Sequence, residues 1–223
     1  MERGYKYFGY FFLFFVVFVS LGFYYPYFSL FPGFASVTRI VHIHAIALLL
    51  WVVIIIAQPL FIAYKKYKTH RLIGKLTYFL MPIIIISSIG VLRQQYEESV
   101  AQKVTPLVSF ETLYTSATEL LCIVIFYSLA IYNIVKGNVV SHMRYMISLA
   151  LVLIPPSFGR TLGYWLYMKQ FYTYNISIVL CIVILITLIV YDWKKNLNFR
   201  PYFVALSIFS LVHVGWYVLG SPI

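Results

Sequence analysis

The sequence predicts an all-α integral membrane protein with seven transmembrane helices. Hydrophobic residues make up 62% of the 223 residues and charged residues only 10%, whereas a soluble domain carries about 25% charged residues. The mean hydropathy is +0.89. Only helices or closed barrels satisfy the backbone in lipid, and apolar runs of about 20 residues are helices. The predicted spans are approximately residues 7–28, 40–63, 73–93, 108–134, 144–167, 173–192 and 201–220.

Proline and polar residues divide these spans. The polar stretch 93–105 separates the third span from the fourth, and Pro155-Pro156 predicts a kink within the fifth. Pro201 stands in the first turn of the seventh, where its missing N–H costs nothing. We expect one membrane domain over residues 1–223. The first span is too long for a cleavable signal peptide, and no small-residue cleavage site follows it.

The distribution of lysine and arginine predicts the orientation. With the N-terminus inside, 12 basic residues fall in inner segments and 4 in outer segments, which is the positive-inside bias of membrane proteins. We therefore expect a protein of the bacterial inner membrane, with its N-terminus cytoplasmic and its C-terminus external. The formal charge of +11 follows mostly from the excess of basic residues in the inner segments, which are attracted to an anionic inner leaflet. No nucleic-acid partner is expected.

Ionisable residues within the apolar spans indicate a candidate site in the outer half of the bundle. An ionisable side chain in hydrocarbon is costly and usually faces the bundle interior or a wet cavity. Arg160 follows the proline kink, and Glu111 and Glu119 lie on the fourth span, on one helical face with Thr115 and Cys122. Ser207, Ser210, His213 and Tyr217 share an arc of the last span.

The second span carries two histidines with different predicted directions. His44, Trp51 and Gln58 are seven residues apart and line one stripe of the helix. His42 points roughly 200° away from His44, so a regular helix cannot use both to hold one metal. We expect His44 to face the interior and His42 to face a neighbouring helix or the interface.

A second cluster is predicted at the inner side. The third span opens with Lys68-Thr69-His70-Arg71 and the fifth with Ser141-His142-Met143-Arg144. The two histidines are 72 residues apart, which suggests a duplicated two-helix unit formed by spans two and three and then four and five. The histidines and arginines are interfacial anchors that meet lipid phosphate or cap the preceding helix, or, alternatively, His70 and His142 form a second pair of ligands.

The strings "HIHAIALLLWVVIIIAQPLFI", "THRLIGKLTYF" and "SHMRYMISLALVLIPPSFGR" resemble a family of uncharacterised bacterial multi-pass membrane proteins, a domain of unknown function with paired His-Arg motifs at helix starts. The resemblance covers spans two to five. The histidine-led second hairpin is also similar to a small membrane family linked to haem-copper oxidase assembly. Neither resemblance implies a known reaction or an established ligand set.

Three functions remain open from the sequence. The leading hypothesis is a redox or oxidase-assembly protein that binds haem b or a transition metal through His44 and His213, with Glu119 and His42 as further ligand candidates. The second is a transporter or small-molecule-binding protein in which Arg160 takes an anionic group. The third is an accessory subunit, with a membrane protein partner, whose polar groups only join helices. Whether the protein is an enzyme is left open.

Overall fold

The structure is a computed structural model and describes residues 5–34 and 37–220. Within those residues the chain is helical, without strands. The helices are α1 (Tyr5–Gly22), α2 (Arg39–Ala63), α3 (Tyr67–Ala101), α4 (Pro106–Val135), α5 (Val139–Leu151), α6 (Arg160–Leu166), α7 (Gln170–Lys194) and α8 (Arg200–Gly220), with a 3-10 turn at Phe28–Leu30 and a π-helical segment at Pro155–Gly159.

The predicted all-α membrane architecture is confirmed. Six helical spans in the described part of the chain are long and apolar enough to cross a membrane, and a shorter apolar helix precedes them at Tyr7–Gly22. The first helix ends earlier than predicted, because turns replace it ahead of Pro26. The third continues to Ala101 through the stretch predicted as a loop, since Gln, Glu and Arg there are good helix formers.

The chain divides into two compact units, residues 1–94 and 95–223. In the first unit α1 packs along α2, and the buried side chains include Phe15 of α1, Trp51 of α2 and Met81 of α3. Trp51 is 2% exposed, which agrees with its place on the predicted interior stripe of α2.

In the second unit α4 packs on α5 and α8, and α7 packs on α8 and on the π-helical segment. The Phe126 and Phe209 rings stack with centroids 5.9 Å apart. The Tyr114 hydroxyl of α4 donates to the Val212 carbonyl of α8 at 2.8 Å. A Cβ atom on Gly215 would collide with this hydroxyl, so glycine permits the close approach of α4 and α8.

The fifth span is broken at the predicted kink. α5 ends at Leu151, the π-helical segment covers Pro155–Gly159, and α6 begins at Arg160. Proline has no N–H, so Pro155 and Pro156 cannot donate to the carbonyls of Leu151 and Val152 as a regular helix would require. The Cys181 thiol lies 3.6 Å from the Leu151 carbonyl oxygen. The break therefore leaves irregular backbone inside the bundle, an arrangement frequent at functional sites.

Candidate functional site: the Glu119 cavity

A small cavity adjoins the break in the fifth span. The space open to the centre of a water molecule is about 20 Å³, room for about one water molecule. Its wall includes Val152 and Pro155 from the broken span. The remaining lining residues come from α4, α7 and α8: Thr115, Thr118, Glu119, Cys122, Tyr174, Ile178, Phe209 and Val212. We refer to this space as the Glu119 cavity.

The residues predicted to share one face of α4 are partly brought together here. Thr115, Glu119 and Cys122 all line the cavity, whereas Glu111 is not among its lining residues. The Thr115 hydroxyl lies 3.0 Å from the Glu111 carbonyl oxygen of its own helix. The Thr118 hydroxyl donates to the Tyr114 carbonyl at 2.7 Å. Both hydroxyl hydrogens are directed at backbone, so Thr115 and Thr118 retain oxygen lone pairs.

Among the residues that the structure describes, three buried side-chain atoms have no hydrogen-bond partner: the Tyr174 hydroxyl, Nδ1 of His213 and Nε1 of Trp216. Of these residues, Tyr174 lines the cavity. Their rings are adjacent, with centroids 6.0 Å apart for Tyr174 and His213 and 4.7 Å for Tyr174 and Trp216. Buried polar groups are normally paired, and an exception indicates an ordered water, an ion or a ligand. Tyr174 was not among the sequence candidates, because a tyrosine near a span end indicates only an interfacial anchor.

Arg160 lies against the π-helical segment rather than in the wall of the cavity. Its Nη1 donates to the Pro156 carbonyl at 2.8 Å. The approach of Arg160 to Glu119 stays a prediction.

Tyr217 lies on the other side of His213, with ring centroids 5.2 Å apart. Its hydroxyl donates to Oδ1 of Asn175 at 2.5 Å, and the Tyr217 side chain is 40% exposed. The side chains of Tyr217, His213 and Tyr174 therefore form a row, with the exposed Tyr217–Asn175 hydrogen bond at one end and the wall of the Glu119 cavity at the other.

In the first unit, His44 contacts α3. Its Nδ1 lies 3.2 Å from Oγ of the buried Ser87, whose hydroxyl donates to the Ile84 carbonyl at 3.0 Å. The Ser87 hydroxyl has one hydrogen and donates it to Ile84, so it can only accept a hydrogen bond from His44. Both bonds form together only when Nδ1 of His44 carries a hydrogen, and in the neutral ring the lone pair then lies on Nε2. The approach of His44 to Glu119, Arg160 and His213 stays a prediction.

His42 points elsewhere on α2, as its spacing from His44 predicts. Its Nδ1 shares a hydrogen bond of 2.9 Å with the Tyr27 hydroxyl, and its ring lies edge-on to Phe34 with centroids 4.8 Å apart. This aromatic contact gives His42 a packing role in the segment between α1 and α2.

The inner cluster contains a contact that sequence reasoning missed. The Arg144 guanidinium forms two bonds to the Asp192 carboxylate, Nε to Oδ2 at 2.6 Å and Nη2 to Oδ1 at 3.0 Å, and it lies over the Tyr202 ring at 5.6 Å. Arg144 is 0% exposed, so it is paired inside the fold and does not face lipid as an interfacial anchor would. Asp192 is the only aspartate of the chain and stands at the end of the predicted sixth span, which is the signal that could have singled it out.

The histidines of the inner cluster contact the preceding helices. Nδ1 of His142 lies 2.9 Å from the Ala130 carbonyl of α4, a residue that precedes the last four of that helix. The amide nitrogen of Gln58 lies 3.3 Å from the His70 carbonyl oxygen. Arg71 is exposed, as expected for an interfacial residue.

Within residues 5–34 and 37–220, no group of three or more His, Cys, Asp or Glu side chains is placed to hold a metal ion. Cys122 and Cys181 are both free and buried.

Comparisons with known proteins return no match. No protein-family model, no curated protein and no solved structure is significantly similar to this chain. The resemblance to an uncharacterised membrane family therefore remains an expectation from the sequence motifs.

Proposed function

We propose that this protein binds a small polar solute or ion in the Glu119 cavity, as a transporter or small-molecule-binding protein of the bacterial inner membrane. The observation that carries the proposal is the position of the broken fifth span, since Val152 and Pro155 line the same cavity as Glu119. Interrupted helices beside an ionisable residue inside the membrane form the substrate and ion sites of many transporters. The unpartnered Tyr174 hydroxyl on the same wall supports a polar occupant.

A solute screen tests this function. The purified protein would be heated with panels of alkali cations, small amines and small carboxylates, the solutes nearest in size to a cavity with room for about one water molecule. A ligand at one hundred times its dissociation constant stabilises the folded state by about 2.7 kcal/mol. We expect at least one class to raise the unfolding temperature of the wild type and of Glu111→Gln, but not that of Glu119→Gln. Glu111 is the matched control because it lies on the same helix outside the cavity. If no solute class stabilises the wild type, or if Glu119→Gln responds equally, the proposal fails.

A second candidate is a haem- or metal-binding protein of redox or oxidase-assembly type. The hydrogen bond to Ser87 favours it, because it orients His44 in the tautomer whose Nε2 ligates a metal or haem iron. Protein prepared gently from its native membrane should then show a Soret band, or near-stoichiometric copper, zinc or iron, that His44→Ala removes and His42→Ala leaves. A colourless, metal-free preparation would contradict this candidate.

The proposed orientation places the N-terminus in the cytoplasm and the C-terminus outside. Single cysteines at Lys68 and Gln102 would be treated with an impermeant thiol reagent on intact cells, in a background without the two native cysteines. We expect labelling of Gln102→Cys alone. Labelling of Lys68→Cys alone would reverse the orientation.

A further inference from the structure

One face of α3, in the first unit, is exposed over more than half of the helix. At about 100° per residue, a single arc of about 120° contains eight residues between positions 68 and 86. All of them are exposed: Lys68, Arg71, Leu72, Lys75, Phe79, Pro82, Ile83 and Ile86. The buried residues of α3 lie outside this arc: Thr77, Met81, Ile84 and Ser87. We refer to the exposed arc as the α3 face.

The charges of the α3 face are confined to its first two turns, and the rest of the face is apolar. Lys75 and Arg93 are 18 residues apart within one helix, which corresponds to about 27 Å. The hydrocarbon core of a membrane is about 30 Å thick, so these two residues fit its two borders. Lys68 lies about two turns beyond Lys75, at the depth of the lipid headgroups. The apolar residues from Phe79 to Ile86 then face the acyl chains.

The positive charge of this face is not balanced by its own unit. Residues 3–94 contain no aspartate or glutamate, so a negative partner for Lys68, Arg71 and Lys75 has to come from outside that stretch. Arginine and lysine form strong charge-assisted hydrogen bonds with phosphate oxygens. Their long aliphatic stems can lie on apolar surface while the charged ends reach the headgroup layer. A lipid phosphate matches these cations in both charge and depth.

The second hairpin does not repeat this arrangement. Arg144, near the start of α5, is fully buried and paired with Asp192. The exposed residues in the first turn of α5 are Val139 and Val140, which carry no charge. Three exposed cations above an exposed apolar strip are therefore a local feature of α3, and general attraction to an anionic membrane surface does not explain their placement on one face.

We propose that the α3 face binds one anionic phospholipid. Its phosphate pairs with Lys68, Arg71 and Lys75, and its acyl chains lie along Leu72 and Phe79. A zwitterionic phospholipid offers the same chains, but it also carries an ammonium group that the three cations repel. This inference does not depend on the Glu119 cavity or on the solute-binding function proposed for it.

Lipid binding by the purified full chain tests this site. Phosphatidylglycerol and phosphatidylcholine would be titrated separately into protein in neutral detergent, and native mass spectrometry would give the number and affinity of bound lipids. We expect one phosphatidylglycerol to bind more tightly than any phosphatidylcholine. The triple variant Lys68→Gln/Arg71→Gln/Lys75→Gln should weaken its affinity by about tenfold or more, because the charges that attract the headgroup are gone.

A matched control removes three exposed charges from the second unit. Lys194, Lys195 and Arg200 are exposed at the end of α7 and the start of α8. Lys194→Gln/Lys195→Gln/Arg200→Gln lowers the net charge by the same amount and should retain the wild-type affinity. Glycerol phosphate, which has the phosphate without acyl chains, should not compete with phosphatidylglycerol at equal concentration.

Equal weakening by the two triple variants would overturn the site and leave only general attraction to an anionic surface. Equal affinities for the two lipids would overturn the selection for an anionic headgroup. Effective competition by glycerol phosphate would overturn the contact with acyl chains. A dimer that forms without lipid and is lost in the α3 variant would replace the lipid by a second copy of the chain. If the α3 variant does not fold, Lys68→Gln/Lys75→Gln takes its place.

Discussion

The hairpins α2–α3 and α4–α5 carry similar motifs but use them differently. In the first, the Gln58 side chain donates to the His70 backbone carbonyl, and in the second the His142 side chain bonds to the Ala130 backbone carbonyl. Arg71, one residue after its histidine, is exposed, whereas Arg144, two residues after its histidine, is fully buried. The contacts join positions twelve residues apart but use different groups, so the duplicated two-helix unit stays a prediction from the sequence.

The burial of Arg144 is accompanied by partners from other helices. Asp192 of α7 accepts both bonds from Arg144, and Tyr202 of α8 covers the guanidinium. A buried charge is tolerated when its partner and geometry are provided. A motif at a helix start therefore predicts a contact with the preceding helix. It does not predict contacts with helices that are distant in the sequence, such as those of Asp192 and Tyr202 with Arg144.

Removal of the buried ion pair should have the largest effect. Asp192→Asn or Arg144→Met leaves an uncompensated buried group, which costs about 3–5 kcal/mol, whereas Arg71→Met should change stability by less than about 0.5 kcal/mol. The thermal midpoint in detergent moves by about 2–4 °C per kcal/mol in a chain of this size. The double variant Arg144→Met/Asp192→Leu should be milder than either single variant. Equal losses of stability in Arg144→Met and Arg71→Met would contradict this difference between the two arginines.

Glycines offer a second contrast, between the contact of α4 with α8 and the contact of α2 with α3. Gly215→Ala should destabilise by about 1–3 kcal/mol, because the new methyl group collides with the Tyr114 hydroxyl and disturbs its bond to Val212. Gly74→Ala in α3 meets only the Gln58 amide at 4.0 Å and should be neutral or stabilising by up to about 1 kcal/mol. Tyr114→Phe should relieve part of the Gly215→Ala penalty. A Gly215→Ala variant as stable as the wild type would show that α4 and α8 can separate freely.

The bonds that close the hairpins should have the smallest effect. His142→Ala and Gln58→Ala each remove one hydrogen bond, with a net cost of about 0.5–1.5 kcal/mol. Similar decreases in unfolding temperature for the two variants would indicate that both hairpins depend on these contacts to a similar extent. A loss confined to His142→Ala would indicate that only the second hairpin depends on this contact.

Several parts of the candidate site were predictable from local sequence. The spacing of Thr115, Glu119 and Cys122 places them on one helical face, and all three line the cavity. The spacing of His42 and His44 predicts different surroundings, as observed. The double proline predicts the break in the fifth span. These predictions succeed because helical periodicity and the missing N–H of proline act over a few residues.

The sequence by itself determined the membrane class, the helical spans and the faces on which the polar residues lie, since these follow from hydropathy and from 3.6 residues per turn. Tertiary structure decided which faces meet. Tyr174 lies 55 positions from Glu119 yet shares its cavity, and Asp192 lies 48 positions from Arg144 yet neutralises it. No periodicity within one helix specifies its neighbour, because such contacts depend on how complementary side chains pack across helices that are distant in the chain.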